Sequence, residues 1–316
     1  METQLETPLR LKPARSKPKG SAVEARHRLT WIAFLIPALA IYVLFMAIPL
    51  LGSIRLSLYT GAGIVPKTFV GLGNFQTLFT HPVWSARLAN ALGNTFVLFL
   101  IHMGVQNTLG LLFAVLLTNK IRGRNFYRTV IFLPATLSVL VIGFLWRLIL
   151  NPQWGAIPLL LTAVGLKSWV HPWLGDVRYA LIVISLVSCW QWVGLPTMMY
   201  LAALIGIPEE FDEAARVDGA NAWTSFKNIT LPLMVPVTVL VAILTVLGTM
   251  QSFVLIQGLV GGEFGGYTSV PVLRILANLI GAPRFGYACS QGIVFGFILI
   301  IISFIQYIFS RKFRQA

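Results

Sequence analysis

Six long apolar stretches alternate with polar loops along this 316-residue chain. A helix needs roughly 20 mainly apolar residues to cross the hydrocarbon core of a bilayer, and each stretch is close to that length or longer. The stretches extend over residues 29–51, 94–117, 129–150, 180–204, 233–257 and 292–309. This pattern predicts an all-α integral membrane protein with six transmembrane helices.

Composition supports a lipid environment. Hydrophobic residues make up 57% of the chain and charged residues 11%, whereas a soluble domain carries roughly a quarter charged residues. The net charge of +14 could indicate nucleic-acid binding. However, the Lys and Arg residues lie at the ends of apolar stretches and not on a basic face with stacking aromatic residues, so nucleic acid is not an expected partner. The two cysteines do not form a disulfide framework.

The distribution of basic residues predicts the orientation. The amino-terminal tail, the loop 120–128, the segment between the fourth and fifth stretches, and the carboxyl terminus together carry 16 Lys and Arg. The alternate loops, with the adjoining ends of the spans, carry at most 8. Cytoplasmic loops are enriched in Lys and Arg, so we expect both termini in the cytoplasm of a prokaryotic cell and membrane lipid around the spans.

Residues 208–232, which we call the elbow, form a polar segment between the fourth and fifth stretches. Pro208 and the acids after it suit the first turn of a helix that extends to Arg216. Residues 218–221, Asp-Gly-Ala-Asn, predict a break, because glycine and asparagine tolerate a left-handed helix stop. A second helical piece is expected over 222–229. The alternative interpretation is a solvated amphipathic loop.

The spacing within the elbow closely resembles the EAA loop of permease subunits in binding-protein-dependent ABC importers. It reads Glu-Ala-Ala, three residues, Gly, nine residues, Ile, one residue, Leu-Pro. In that family the loop is a coupling helix that docks into a cleft on a cytoplasmic ATPase subunit. The resemblance implies a type I importer (MetI-like) transmembrane domain in which Glu213 holds the elbow against the ATPase and Gly219 allows the turn. The coupling residues it implies are Glu213, Ala214, Ala215, Asp218, Gly219 and Phe226.

The resemblance to the carbohydrate branch of this family covers nearly the whole chain. Residues 69–75 look like the family's loop phrase after span one, 122–134 like its basic entry into span three, and 285–289 like the phrase before the last span. Residues 253–257 are similar to the larger maltose-permease subunit. The chain departs at 258–266, where Gly-Gly-Glu stands in place of the family's frequent Gly-Gly-Pro.

A domain organisation follows from the spans and the resemblance. It comprises a cytoplasmic basic tail over 1–28, a first transmembrane helix with its periplasmic loop over 29–89, and a permease core over 90–316 that holds five spans and the elbow.

Polar side chains inside the spans are candidates for a solute pathway, because they are costly in hydrocarbon. No acid or base lies deep in spans four and five, which favours a neutral solute. Alignment on the elbow implies sugar contacts at Leu137, Val141, Ser188, Gln191, Trp192, Leu195, Thr249 and Ser252. The alternative role for the polar members of this set is hydrogen bonding between helices, which is common in membrane bundles.

No GxxxxGK[ST] loop occurs, so the chain itself is not expected to bind ATP phosphates. The resemblance implies two copies of a cytoplasmic ATP-binding subunit, a second permease subunit, and a periplasmic or lipid-anchored solute-binding protein. We expect no cofactor and no metal.

Three functions other than that of a sugar permease are alternatives. A glycerol-phosphate importer would need an intramembrane Arg or Lys, and Arg55 and Arg147 lie near span ends. An integral-membrane enzyme is disfavoured, because the four histidines share no ligand-like spacing and His102 alone lies in a span, where packing hydrogen bonds are the commoner role. A receptor or scaffold is the third alternative, and solute-dependent ATPase stimulation would distinguish it from a transporter.

Overall fold

The computed structural model describes residues 21–61, 65, 67–119, 121–250, 252–262, 266–280 and 284–313, with side chains at 21–29, 32 and 309–313 left aside. Most of the predicted basic tail and the departure at Glu263 therefore lie outside the described residues. The chain divides into two compact units between Gly52 and Ser53.

The first apolar stretch is helical. Helix α1 (Ser21–Tyr42) passes through a π-helical turn (Val43–Ala47) into α2 (Ile48–Ser57), in which the boundary between the two units falls. The segment Ala33–Ser57 has the length and hydropathy of a membrane span. The predicted span at 29–51 is thus six residues short at its carboxyl end.

The second unit begins with small elements outside the spans. Strands β1 (Tyr59–Thr60) and β2 (Thr68–Phe69) form an antiparallel hairpin in which Tyr59 lies opposite Phe69. Helix α3 (Gly73–Thr80) follows in the polar segment between the first two apolar stretches. Asn74 is buried and its Nδ2 donates to the carbonyls of Ser57 and Tyr59, which fixes α3 against the end of α2.

Two further helices are long enough to cross a membrane. One comprises α4 (Pro82–Ile101), a π-helical turn (His102–Gln106) and α5 (Asn107–Thr118). It begins twelve residues before the predicted span, because Pro82 starts a helix that the polar residues 84–94 continue. The other is α17 (Phe285–Phe313), which likewise exceeds the predicted 292–309.

The remaining spans are bent pairs of helices. Helices α6 (Arg124–Thr136) and α7 (Val139–Ile149) meet at 98°, and α9 (Ala180–Trp192) and α10 (Gly194–Ile205) meet at 46°. The third pair, Ala222–Leu233 and α14 (Val235–Met250), meets at 63°. Within the described residues, the fold therefore has three straight spans, or six when each bent pair counts as one. On that count, the six-span prediction is confirmed.

Three helices differ from the sequence-based expectation. Residues 151–179 are predicted to be a loop, but they contain α8 (Ala156–Ala163) and a 3₁₀ turn (Lys167–Trp169). The fifth stretch is predicted to continue to residue 257, but α14 ends at Met250 and α15 (Phe253–Val260) is a separate helix. Helix α16 (Pro271–Ile280) is strongly amphipathic and was not predicted.

Two apolar clusters hold the second unit together. One joins α4, α7, α9, α15 and α16 through Leu98, Ile142, Ile184, Ile256 and Leu273, and the other joins α5, α10 and α14. Glycines permit the closest crossings: a Cβ at Gly143 would lie 2.9 Å from Cα of Gly258, and one at Gly194 would lie 2.8 Å from Cα of Phe132. These contacts resemble the small-residue helix interfaces of membrane proteins.

Candidate functional site: an intramembrane cavity and a polar elbow

A cavity of about 370 Å³ lies among spans two, three, four and five and helix α15, all in the second unit. Its lining is mainly apolar with a few polar side chains and, among the described residues, no acid, lysine or arginine. The polar and aromatic lining residues are His102, Gln106, Ser188, Trp192, Thr245, Thr249 and Ser252.

Five of the eight residues predicted to contact solute line this cavity: Ser188, Trp192, Leu195, Thr249 and Ser252. The other three do not. Leu137 and Val141 lie on an exposed face of the α6–α7 pair, with 45% and 52% of their surface accessible. Gln191 is fully buried.

Gln191 supports the break in span three. Between α6 and α7 the chain is extended at Leu137 and Ser138, so regular helical hydrogen bonding is interrupted there. Nε2 of Gln191 lies 3.5 Å from the carbonyl oxygen of Leu137, a long hydrogen bond across the two spans. Gln191, predicted to contact sugar, therefore lies beside the bend and not on the cavity surface.

His102 joins span two to span four. Its Nδ1 lies 2.7 Å from the carbonyl oxygen of Leu98, and its Nε2 lies 2.8 Å from Oγ of Ser188. A carbonyl oxygen can only accept, so Nδ1 carries the proton and donates to it. In the neutral ring, Nε2 then accepts the hydroxyl proton of Ser188. The packing role expected for His102 is present, but the residue also lines the cavity.

Gln106 is a lining residue that sequence reasoning missed. Its Nε2 lies 3.2 Å from the carbonyl oxygen of Trp192, at the end of α9. The opposite atom of the amide, Oε1, is buried and has no hydrogen-bond partner among the described residues. The π-helical turn places His102 and Gln106 together on the cavity side, and such turns occur frequently at functional sites. The available signal was the polar group His102, Gln106 and Asn107 in mid-span.

The elbow has the predicted helix–turn–helix form. Helix α11 (Glu209–Val217) is followed by Gly219 with φ +79°, and then by α12 (Ala222–Ser225), a π-helical turn (Phe226–Thr230) and α13 (Leu231–Leu233). The sequence predicts a left-handed helix stop within 218–221, and Gly219 has that conformation but Asn221 does not. Asn221 is extended and caps α12, because its Oδ1 accepts from the backbone N–H of Thr224 at 2.8 Å.

Four of the six predicted coupling residues are exposed: Glu213, Ala214, Asp218 and Gly219. Phe226 is half-buried and Ala215 is 5% exposed, so Ala215 packs inward and does not present its side chain to a partner. Trp223, absent from the prediction, is 70% exposed and stacks on Phe226 with ring centroids 5.9 Å apart. Phe211 adds a further exposed aromatic ring.

Apolar spans around a polar cavity, with a structured polar elbow between two of them, define a multi-pass membrane permease. The chain belongs to the family of binding-protein-dependent transport system inner membrane components, whose model matches residues 106–315. This is a family of inner-membrane transport components and not of enzymes. In importers of this type, ATP hydrolysis belongs to separate ATPase subunits.

Curated relatives align over nearly their whole length. The lactose transport system permease protein LacF of Rhizobium radiobacter is 33% identical, over 89% of this chain and 94% of that protein. The trehalose/maltose transport system permease protein MalF of Thermococcus litoralis is 30% identical, over 93% and 98%. A crystal structure of a bacterial alginate ABC transporter in complex with an alginate-bound periplasmic protein shares the fold, with a TM-score of 0.78 and 21% identity over 92% of this chain and 96% of that one.

Proposed function

We propose that this chain is one permease subunit of an ATP-driven importer and that, with a second permease, it forms the membrane pathway for an uncharged sugar or oligosaccharide. The cavity carries this proposal: its volume falls in the range of small-molecule sites, and its described lining is mainly apolar, with several polar side chains and no acid, lysine or arginine. The names of the lactose and trehalose/maltose relatives support a carbohydrate.

The lining chemistry suits a sugar. Sugar rings have apolar C–H faces and peripheral hydroxyl groups. Trp192 offers an indole face to the first, and the Ser188, Thr249 and Ser252 hydroxyls can bond the second. Leu137 and Val141, which lie outside this cavity on an exposed face, remain predicted contacts through the surface that meets the second permease.

The elbow supports an ATPase partner. Its exposed acidic and aromatic side chains, Glu213, Phe211 and Trp223, offer a mixed surface of the kind that protein interfaces use. In this proposal, Gly219 sets the turn and two ATPase copies engage the elbows of the two permeases. Residues 90–316 form the core of the pathway in this scheme, preceded by the first span with its loop over 29–89 and the cytoplasmic tail over 1–28.

The proposal places both termini and the elbow in the cytoplasm, with a solute-binding protein, periplasmic or lipid-anchored, on the other side. The distribution of basic residues supports that arrangement, because the proposed cytoplasmic segments carry 16 Lys and Arg and the alternate loops at most 8. A cysteine introduced at Lys227 should react with membrane-impermeant maleimide only after the cells are opened. Labelling of Lys227→Cys in intact cells would reverse the orientation.

Transport by the complete complex tests the function. The chain is co-expressed with its second permease and ATPase, reconstituted in proteoliposomes with ATP inside, and supplied with its solute-binding protein and labelled lactose, trehalose or maltose. We expect ATP-dependent uptake and sugar-stimulated ATPase activity. Uptake of glycerol 3-phosphate instead would favour the phosphate alternative, which the structure supports less, because neither Arg55 nor Arg147 lines the cavity. Absence of both uptake and sugar-stimulated hydrolysis would indicate a receptor or scaffold.

A further inference from the structure

The hydroxyl groups that line the cavity donate their protons to the protein. Oγ1 of Thr249 donates to the carbonyl of Val246 at 2.9 Å, and Oγ of Ser252 donates to the carbonyl of Gly248 at 3.3 Å. Oγ1 of Thr245 donates to the carbonyl of Val241 at 2.8 Å and accepts from Nδ2 of Asn107 at 3.1 Å, which leaves it one lone pair. A hydroxyl has one proton and two lone pairs, so each of these groups keeps acceptor capacity and has no proton left to give.

The Ser188 hydroxyl also donates its proton to the protein, but to a side chain and not to a backbone carbonyl. Because Nδ1 of His102 donates to a backbone carbonyl, Nε2 accepts the Ser188 proton. The hydroxyl oxygen of Ser188 therefore also faces the cavity as an acceptor. His102 acts through Ser188, since its two ring nitrogens are both engaged by the protein.

Gln106 offers the strongest acceptor of the set. The carbonyl of Trp192 fixes the amide orientation, since the carbonyl can bond the NH₂ end and not the oxygen. Oε1 is left buried without a partner among the described residues, and Gln106 itself is 6% exposed. A buried acceptor without a bond costs free energy, and a donor from the solute would recover it.

We propose that this cavity selects solutes by their hydrogen-bond donors, with Oε1 of Gln106 as the principal anchor for a solute hydroxyl and His102 as the residue that holds Ser188 in its acceptor state. The inference rests on the proposed function, because it specifies which polar groups of the solute the pathway recognises. Gln106 and His102 belong to span two, which contributed none of the eight solute contacts expected from the sequence.

The chemistry separates classes of solute. Every hydroxyl of a sugar can donate a proton into this lining. A phosphate or carboxylate at neutral pH presents only lone pairs to the hydroxyl and amide oxygens of this lining, and no lysine or arginine occurs among the described lining residues. Such an anion loses hydration without a compensating positive charge, which is costly in a membrane interior.

The role of Gln106 Oε1 as anchor can be tested by combining a substitution at Gln106 with the removal of single hydroxyl groups from the sugar. In proteoliposomes, the complete complex imports whichever of lactose, trehalose or maltose it transports, and then each monodeoxy derivative of that sugar. In the wild type, one derivative should lose roughly three- to tenfold in transport rate, the effect of one neutral hydrogen bond. Gln106→Met keeps the length of the side chain without its acceptor. In this variant the parent sugar should lose a similar factor, and that derivative should lose nothing further.

A matched control separates recognition from folding. Gln291 is also a buried glutamine, 5% exposed, but it bonds Asn278 and does not line the cavity. Gln291→Met should therefore leave the deoxy-sugar penalties as in the wild type. If Gln106→Met does not assemble, Thr249→Val gives the same cycle with a second acceptor on another span. Equal penalties in wild type and in the assembled variant, or no penalised derivative at all, overturn the inference. A complex that imports no sugar overturns the proposed function instead.

Discussion

The Ser225 hydroxyl donates a 2.6 Å hydrogen bond to the carboxylate of Asp212, across the glycine turn of the elbow. Asp212 belongs to α11 and Ser225 is the last residue of α12, so the bond ties two short helices that the turn would otherwise leave free to rotate. Helices this short are marginal by themselves. The elbow is therefore held as one body by a side-chain contact as well as by its backbone.

Ser225→Ala should loosen the elbow without disrupting the spans. The bond is exposed, so the loss should be about 1 kcal/mol or less of local stability. We expect fewer sugars transported per ATP hydrolysed, measured in proteoliposomes as the ratio of uptake to ATPase activity. Ser85→Ala removes an exposed serine hydroxyl that bonds its own helix, and it should leave the ratio unchanged. An unchanged ratio in Ser225→Ala as well would show that the tie is dispensable.

Position 219 needs glycine because of its backbone conformation, and not because neighbouring atoms leave no room for a side chain. Its φ is +79° and no atom lies within 4 Å of a Cβ built there. A side chain in the left-handed region costs roughly 1–2 kcal/mol, while asparagine is better tolerated. Gly219→Val should therefore impair coupling and association with the ATPase in a pull-down, and Gly219→Asn should retain most of both. Gly93→Ala, in an open position of α4, is the matched control. If valine and asparagine behave alike, the turn conformation does not govern coupling.

The crossing of α7 and α15 depends on paired glycines. A Cβ at Gly143 would lie 2.9 Å from Cα of Gly258, so the two backbones must separate to accept it. Overpacking of this kind costs typically 1–3 kcal/mol. Gly143→Ala should lower the melting temperature in detergent, measured by loss of the monodisperse peak after heating. Gly292→Ala in α17, where no atom lies within 4 Å, should not. Equal melting of both variants would contradict the close crossing.

Gln191 and Ser252 should give opposite phenotypes, although both were expected to contact sugar. Gln191 is buried away from the cavity and bonds Leu137, so Gln191→Leu should lower thermal stability and leave the KM for sugar unchanged. Ser252 lines the cavity, so Ser252→Ala should raise the KM with little effect on stability. Uptake kinetics and melting of the same preparations decide the question. A changed KM in Gln191→Leu at unchanged stability would return Gln191 to the pathway.

The spans could be located because lipid exposure demands long apolar runs, and the elbow because it is a polar segment with a glycine-containing break between two apolar runs. The bends could not be located. Hydropathy counts apolar residues without regard to direction, and the sequence Leu137-Ser138 contains no helix breaker, although a proline stands three residues before Leu137. At the 98° bend there, Nε2 of Gln191 lies 3.5 Å from the Leu137 carbonyl, a contact between spans that the sequence does not reveal.

The cavity was predicted only in part. The predicted contacts were implied by alignment on the elbow with the family, and five of the eight predicted residues line the cavity. Gln106 could not be placed, because its orientation depends on a π-helical turn that shifts helical periodicity within span two. Helix α16 was missed because it has only ten residues, and Arg274 and Asn278 interrupt its apolar run.

The 63° angle between the helical segment Ala222–Leu233 and α14 has a mechanical consequence. A thrust directed along the first segment meets α14 obliquely and becomes mostly a sideways displacement of that helix. Thr245 and Thr249 are carried on α14 and line the cavity, so under the proposed function a push on the elbow is expected to change the width of the cavity more than its depth. The bend would thus convert a displacement along the elbow into a lateral displacement of α14.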